Sequence, residues 1–283
     1  VTAMPDLGEN IALNKPYTMD PAPRYGYSAD DGDVVQLTDG EYSEGHFWTR
    51  KTTVGWSTKA PVYISIDLGK EYPIKGISFS TAAGVAEVRW PRAILVFVSD
   101  DGQSWYRAGD LVAHHTARQP LPEYGEYSAI RLWTDQLKTH GRYVQLYIEP
   151  EASYVFCDEI EVYRGEDAWV GLPHDVEPII DLKDHMGKLM TNSLIQNQFT
   201  RDLQAVKDDI ADLPAAQGAA FAPKVDALTR AIADMPIVDM HGFKAILPMT
   251  DLERDIFRLQ AEVWRAQDKP LVRVWDIHRW DPL

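Results

Sequence analysis

Apolar and polar positions alternate most clearly between Val62 and Ala108. Val62-Tyr63-Ile64-Ser65-Ile66-Asp67-Leu68 runs up to Gly69-Lys70, and Ile74-Lys75-Gly76-Ile77-Ser78-Phe79 runs into a small-residue loop. Ala93-Ile94-Leu95-Val96-Phe97-Val98 then ends at Asp100-Asp101-Gly102. A period of two puts alternate side chains on one face only when the backbone is extended, so β-branched and aromatic residues alternating between Gly and Asp turn signals predict strands and hairpins. The same pattern returns in Tyr127–Leu132, Tyr143–Ile148 and Ile160–Tyr163, and residues 9–20 start with an apolar run that reads as an edge strand. Roughly eight strands in about 160 residues suit a single all-β sandwich. The stretch Thr81 to Pro91 breaks the alternation without becoming a simple turn.

Past Arg164-Gly165-Glu166 the period changes. Pro173 to Pro178 reads as a linker, after which Ile179, Ile180, Leu182, Met186, Leu189, Met190, Leu194, Ile195, Phe199, Leu203, Val206, Ile210 and Leu213 recur at helical spacing. This predicts an amphipathic helix of about thirty residues, broken at Pro214–Gly218. A second helix is expected from Pro223 to Met235 and a third from the N-cap-like Thr250-Asp251-Leu252-Glu253 through Ile256, Leu259 and Val263. Three apolar stripes can bury one another in a helical bundle or spacer. Leu271–His278 alternates like a strand, which either joins the sandwich edge or begins a further domain. The expected layout is multidomain, with a jelly-roll sandwich over 1–168, helices over 169–270, and a strand-like tail over 271–283.

Composition and charge narrow the functions. The net charge of −15 argues against a nucleic-acid or anionic-lipid surface as partner. No apolar run reaches the length of a membrane span, and Val1-Thr2-Ala3-Met4 shows no signal-peptide pattern. The single cysteine, Cys157, excludes an internal disulfide and reads as a small buried hydrophobe. Gly-x-Ser-x-Gly, P-loop, Gly-x-Gly-x-x-Gly and His-Glu-x-x-His patterns are all missing. His114-His115 reads as a solvated loop, and Asp184-His185 lacks a third partner. Nothing here is a catalytic signature. Asp39-Gly40 has two readings, a tight turn or part of a loop offering oxygen ligands to calcium.

A family resemblance rests on five short pieces in a fixed order. They are Asn10-Ile11-Ala12-Leu13-Asn14-Lys15-Pro16, then Leu37-Thr38-Asp39-Gly40 with Phe47-Trp48, then Tyr63-Ile64-Ser65-Ile66-Asp67-Leu68-Gly69. Val96–Trp105 and Asp158-Glu159-Ile160-Glu161-Val162-Tyr163 complete the series. Together they make residues 9–164 resemble a coagulation factor V/VIII type C (discoidin-like) domain, and within that group the bacterial family 32 carbohydrate-binding modules. The resemblance implies a jelly-roll sandwich that binds sugar in loops at one end and holds a structural calcium ion. It places Asp39 and Glu159 as side-chain calcium ligands and Gln36, Glu41 and Asp158 as carbonyl ligands. Ser43-Glu44-Gly45-His46 departs from the family's pattern, with Glu44 a possible substitute ligand. Trp48 is implied to be core. The lack of a cysteine pair separates the chain from the animal clotting domains.

Sugar recognition needs an aromatic face against apolar C–H surface and polar groups fixing hydroxyls. Four segments offer it: Arg24-Tyr25-Gly26-Tyr27, Arg50 to Trp56, Gly84 to Trp90 with Glu87 and Arg89, and the loop carrying Tyr154. The plain alternatives are packing of the tyrosines against the core, a corner role for Trp90 before Pro91, and a surface pair of Arg89 with Glu87. The reading is non-catalytic glycan binding, as the targeting part of a larger secreted or cell-surface carbohydrate-active protein with a downstream catalytic domain as partner. The rivals are a protein-interaction module assembled through the helices, and a hydrolase or lyase accessory region with Asp184, His185 or His241 at the sandwich–helix junction.

Overall fold

The computed structural model describes residues 5–236 and 247–269, in two compact units, Val1–Asp181 and Leu182–Leu283. The first unit is an antiparallel β-sandwich. Its strands are β1 (Tyr17–Asp20), β2 (Val54–Ser57), β3 (Val62–Ala83), β4 (Ala93–Ser99), β5 (Tyr106–Asp110), β6 (Ser128–Thr134), β7 (Thr139–Glu149), β8 (Tyr154–Cys157) and β9 (Ile160–Arg164). A short helix, α1 (Leu111–Thr116), follows β5. The main sheet runs β1-β3-β7-β4-β5, with β6 and β9 both pairing with β3, while β2 and β8 form a separate pair.

Val62, Ile64, Ile66 and Leu68 on β3 are all fully buried, as are Val96 and Val98 on β4 and Val144, Leu146 and Ile148 on β7. They meet Val54 and Trp56 of β2 and Val155 and Cys157 of β8 in one core. Alternation therefore marks the inward face, as the pattern required. Cys157 is a free, buried thiol.

Two expectations change. The strands read on either side of Gly69-Lys70 are one 22-residue strand. Gly69 adopts φ +88°, yet β7 pairs with Val62–Asp67 and again with Tyr72–Ile74 across a register shift. Residues 68–71 of β3 stand opposite the single residue 142 of β7, so three extra residues bulge out of the ladder and bend the strand without reversing it. Second, the Pro173–Pro178 segment is no free linker. Just beyond it, Ile179 and Trp105 exchange backbone hydrogen bonds of 2.8 and 2.9 Å, which tie the segment to the sandwich and carry the first unit to Asp181 rather than 168.

The second unit contains α2 (Leu182–Ala211), α3 (Ala215–Ala219), α4 (Ala222–Ala233) and α5 (Leu247–Ala266). Ile195, Phe199, Leu203 and Val206 of α2 pack with Ile232 of α4 and Ile256, Leu259 and Val263 of α5. The third helix starts before Thr250, so that residue does not cap it. Pro214–Gly218 breaks α2 as expected but then turns helical itself. The strand-like tail at 271–283 and His241 lie outside the described residues.

Candidate functional site

One end of the sandwich gathers its aromatic side chains around Phe156 of β8. Phe156 is 1% exposed and clusters with Phe47, Ala82, Ala83 and Val88, against which Tyr25, Trp48, Trp90, Tyr127 and Tyr154 pack half-buried. Tyr25 meets Phe156 edge-on at 4.9 Å and Tyr154 edge-on at 5.8 Å, with Tyr27 also 5.8 Å away. Trp48 lies 5.8 Å from Phe156 and 5.2 Å from Tyr127, and His46 sits 4.2 Å from Tyr127. Edge-on and tilted rings at these separations are favourable pairings that leave faces and rims open to a partner.

The backbone explains why these loops meet. The Arg24 and Tyr25 amides both donate to the Gly55 carbonyl at 3.1 Å, pinning the tyrosine loop to β2. A Cβ on Gly55 would stand 2.8 Å from the Phe156 ring and 2.9 Å from Tyr25 Cβ, so only glycine permits this approach. Tyr127 Oη donates to the Gly45 carbonyl at 2.6 Å and accepts from the Phe47 amide at 3.3 Å, which holds the His46–Trp48 turn. The Gly84 carbonyl accepts from Gly125 at 2.8 Å, joining the 84–90 loop to the 122–127 loop.

Between those two loops lies an open cleft of about 160 Å³, lined by Gly84, Arg89, Trp90, Tyr124 and Glu151. The Arg89 guanidinium lies 4.0 Å above the centre of the Tyr124 ring. Tyr124 Oη accepts from the Glu87 amide at 3.2 Å, and Trp90 Nε1 donates to the Pro122 carbonyl at 2.9 Å. Ala86 and Glu87 adopt φ +54° and +61°, a left-handed pair in which Val88 is buried and Arg89 stays exposed. The cleft therefore combines a fixed cation, two aromatic rings and a carboxylate, with Glu151 itself held by Arg92 at 2.6 Å.

The structure sorts the candidates. Arg89, Trp90, Glu87, Tyr25 and Tyr27 lie on the loops of this end, and Tyr154 opens β8 beside them. Trp56 does not offer a face there, because it is fully buried in the main core with Nε1 donating to the Pro21 carbonyl at 2.9 Å. Arg50 is exposed with its guanidinium folded over Gly45, and no ring contact joins it to the cluster. Trp48 belongs to the aromatic end and not to the main core. Tyr124, Tyr127 and His46 were missed. The signal for the two tyrosines is the Pro120, Pro122 and Gly125 punctuation, which keeps an aromatic segment irregular. His114 and His115 lie on α1 rather than in a loop; His115 is buried and its imidazole is held below the usual histidine range by that burial.

Just past Phe156 and Cys157 the chain carries two buried acids. Asp158 and Glu159 are 1% and 0% exposed. Glu159 Oε2 accepts from the Gly40 amide at 3.1 Å and Asp158 Oδ2 from the Ser43 amide at 2.6 Å. Their other oxygens, Glu159 Oε1 and Asp158 Oδ1, are buried without any hydrogen-bond partner. Burial, with Asp39, Glu161 and Asp158 nearby, pushes the Glu159 carboxyl up to about 9, and burial pushes Asp158 up to about 6. Buried anionic oxygens are tolerated when a cation or hydrogen bonds compensate them. Two orphaned hard oxygens beside the Asp39-Gly40 turn are thus a donor set that fits a calcium ion. Asp39 Oδ1 accepts from the Glu41 amide at 2.8 Å. Gln36 turns its side-chain amide to the Lys51 carbonyl at 2.7 Å, and Glu44 is exposed.

Comparison with known proteins agrees with this architecture. The family model for the F5/8 type C domain matches residues 27–160. This segment is an F5/8 type C domain. Similar solved structures include the module CpGH89CBM32-6 produced by Clostridium perfringens, at 19% identity over 56% of this chain and 100% of that one, TM-score 0.34. A fucose binding module of Streptococcus pneumoniae matches at 16% identity over 58% of this chain and 100% of that one, TM-score 0.38. Chitosan-binding module 1 from a chitosanase/glucanase of Paenibacillus sp. IK-5 matches at 17% identity over 55% and 98%, TM-score 0.36. Comparison with curated proteins gives no match. Among the described residues of the F5/8 type C domain and the helical unit, no helix is long and apolar enough to cross a membrane.

Proposed function

We propose that the F5/8 type C domain binds a glycan at its aromatic end, without catalysis, and that a calcium ion on Glu159 and Asp158 fixes the loop that carries part of that end. The observation that supports this most is the Arg89–Tyr124 pair beside Trp90 in an open cleft. Such a pair offers a ring for sugar C–H groups and a fixed donor for hydroxyls, the division of labour sugar sites use. The cleft is smaller than the roughly 300–1,000 Å³ of enclosed small-molecule pockets, which suits one sugar residue at a chain end. The calcium reading rests on the two orphaned carboxylate oxygens. Such a domain would serve as the targeting part of a larger carbohydrate-active protein at or beyond the cell surface.

A glycan array followed by isothermal titration with the best ligand tests the proposal. Arg89→Ala and Tyr124→Ala are each expected to weaken binding about tenfold, the effect of losing one charge-assisted hydrogen bond or one stacking face. A flat array, or an affinity unchanged in both variants, overturns the assignment. Capture of a protein ligand by the same face would favour the interaction module instead.

A further inference from the structure

A second cluster lies away from the aromatic end, where the segment before Ile179 crosses the sandwich. His174 in that segment stacks on Tyr106 of β5 with ring centres 3.8 Å apart, and on His140 of β7 at 4.3 Å. Asp100, in the turn between β4 and β5, reaches both histidines. Its Oδ1 is 3.3 Å from His140 Nδ1 and its Oδ2 is 3.6 Å from His174 Nε2. Glu71 Oε1 stands 2.8 Å from His140 Nδ1 and also accepts from the Gly171 amide at 3.2 Å.

The hydrogen-bond chemistry of His140 is the decisive point. Its Nε2 lies 2.8 Å from the Leu172 carbonyl. A carbonyl only accepts, so Nε2 carries the proton, and in the neutral ring Nδ1 presents its lone pair to two carboxylates. Two carboxylate oxygens facing that nitrogen call for a positive charge between them, supplied either by a proton on Nδ1 or by a bound cation. Neither His140 Nδ1 nor His174 Nε2 makes a hydrogen bond of good geometry, and both atoms are buried. Asp100, His140 and His174 are the one group among the described residues whose three ligand atoms lie within 4.8 Å of one another.

We propose that Asp100, His140 and His174 bind a divalent transition-metal ion, zinc being the ion best suited to two imidazoles and a carboxylate. Metal–ligand bonds of about 2.0–2.1 Å at tetrahedral angles put neighbouring ligand atoms about 3.3 Å apart, near the 3.3 and 3.6 Å that separate the Asp100 oxygens from the two imidazole nitrogens. The Leu172 carbonyl is the outer partner that metal-binding imidazoles use to fix their tautomer, and Glu71 offers an oxygen as a fourth ligand. The ligands come from the β4–β5 turn, β7 and the crossing segment. An ion here clamps that segment to the sandwich, a structural role consistent with the burial of both imidazoles. The site is independent of glycan binding. Arg89 precedes β4 and Asp100 follows it, so the two sites lie beyond opposite ends of that strand.

The test uses the full chain stripped with a chelator and titrated with zinc chloride at pH 7.5, with calcium present throughout. The expected result is one equivalent bound with micromolar or tighter affinity, a rise in melting temperature, and a tetrahedral absorption signature when cobalt replaces zinc. His174→Ala and Asp100→Asn are expected to weaken binding at least tenfold, while His185→Ala, on α2, leaves it unchanged. His140→Ala is not relied on, because its ring is buried. Absence of saturable binding, or equal affinity in wild type, His174→Ala and Asp100→Asn, overturns the proposal. Glycan affinity is expected to be the same with and without zinc, so failure of one reading leaves the other standing.

Discussion

Removing the proposed calcium ion is the most direct perturbation of the carboxylate pair behind the aromatic end. Without the ion, Glu159 Oε1 and Asp158 Oδ1 remain buried and unpaired, each at a cost of about 1–3 kcal/mol. An ion held at a hundred times its dissociation constant stabilises the fold by about 2.7 kcal/mol. For a unit of this size, 1 kcal/mol moves the melting temperature by about 2–4 °C, so chelation should lower it by about 5–10 °C. The pH dependence has a definite sign. In the calcium-free protein burial raises the Glu159 carboxyl from about 4.5 to about 9. Stability is then full below the ordinary glutamate range and falls as pH rises toward 9, because unfolding ionises an acid that folding keeps protonated. Calcium favours the ionised form, so its stabilising effect should grow from pH 5 to pH 8. Glu159→Gln keeps an acceptor for the Gly40 amide, and should abolish the calcium response while flattening the pH slope. Near-UV circular dichroism melts with EGTA or 1 mM calcium, at three pH values, read all of this. A melting temperature insensitive to chelation at pH 8 would refute the reasoning.

Two further outcomes are expected. Gly84 adopts φ +108°, and a Cβ there would stand 2.0 Å from the Glu126 carbonyl. Gly84→Ala should therefore cost about 2 kcal/mol and separate the 84–90 and 122–127 loops, seen as a lower melting temperature and lost glycan binding. In the helical unit, Asp209 of α2 accepts from Trp264 Nε1 at 2.8 Å and Gln260 Nε2 at 2.6 Å, and pairs with Lys269 at 2.8 Å. Asp209→Ala should cost about 2 kcal/mol through the stranded donors. The Lys269 contact holds the Asp209 carboxyl below the usual aspartate range. Its contribution is present above that range and lost as pH falls through the lowered value. Acid melts followed at 222 nm should lose that component in the variant.

How much was legible follows from what each signal measures. Period-two alternation reports which face is buried, so β3, β4 and β7 were found from Val62, Val96 and Val144 and their neighbours. It does not report chain reversal, and this is why Gly69 passed for a hairpin turn when it is a bulge. Trp56 was misplaced for a related reason. Its neighbours Arg50, Lys51 and Thr52 are loop-like, but the residue sits on β2 facing inward, and aromatic content alone cannot separate a core ring from a binding ring. Arg89 and Trp90 stand out in the sequence because a break in alternation next to proline marks an irregular loop, the kind of segment that lines a cleft. Tyr124 is 34 residues beyond Trp90, and tertiary hydrogen bonds from Gly125 to Gly84, Glu87 to Tyr124 and Trp90 to Pro122 bring its ring under Arg89. The histidine cluster joins residues 100, 140 and 174, and no spacing rule connects positions so far apart.

The aromatic end and the carboxylate pair are parts of one mechanical unit. Residues 40–48 are tied at one end to Glu159 and Asp158 through the Gly40 and Ser43 amides, and at the other to Tyr127 through Gly45 and Phe47. On the opposite strand, Phe156 lies two residues before Asp158, and its carbonyl accepts from Thr81 Oγ1 at 2.7 Å. An ion that fixes the two carboxylates therefore fixes both His46–Trp48 and the ring they pack against. The Arg89–Tyr124 cleft is attached to this unit through Val88 and the Tyr127 loop rather than through the carboxylates. Calcium should accordingly act on glycan affinity through the loop's mobility: chelation weakens binding by slowing or preventing assembly of the aromatic face, while the Arg89–Tyr124 contact itself survives. Ligands that reach only the cleft should feel chelation less than extended glycans that also cover Trp48 and His46.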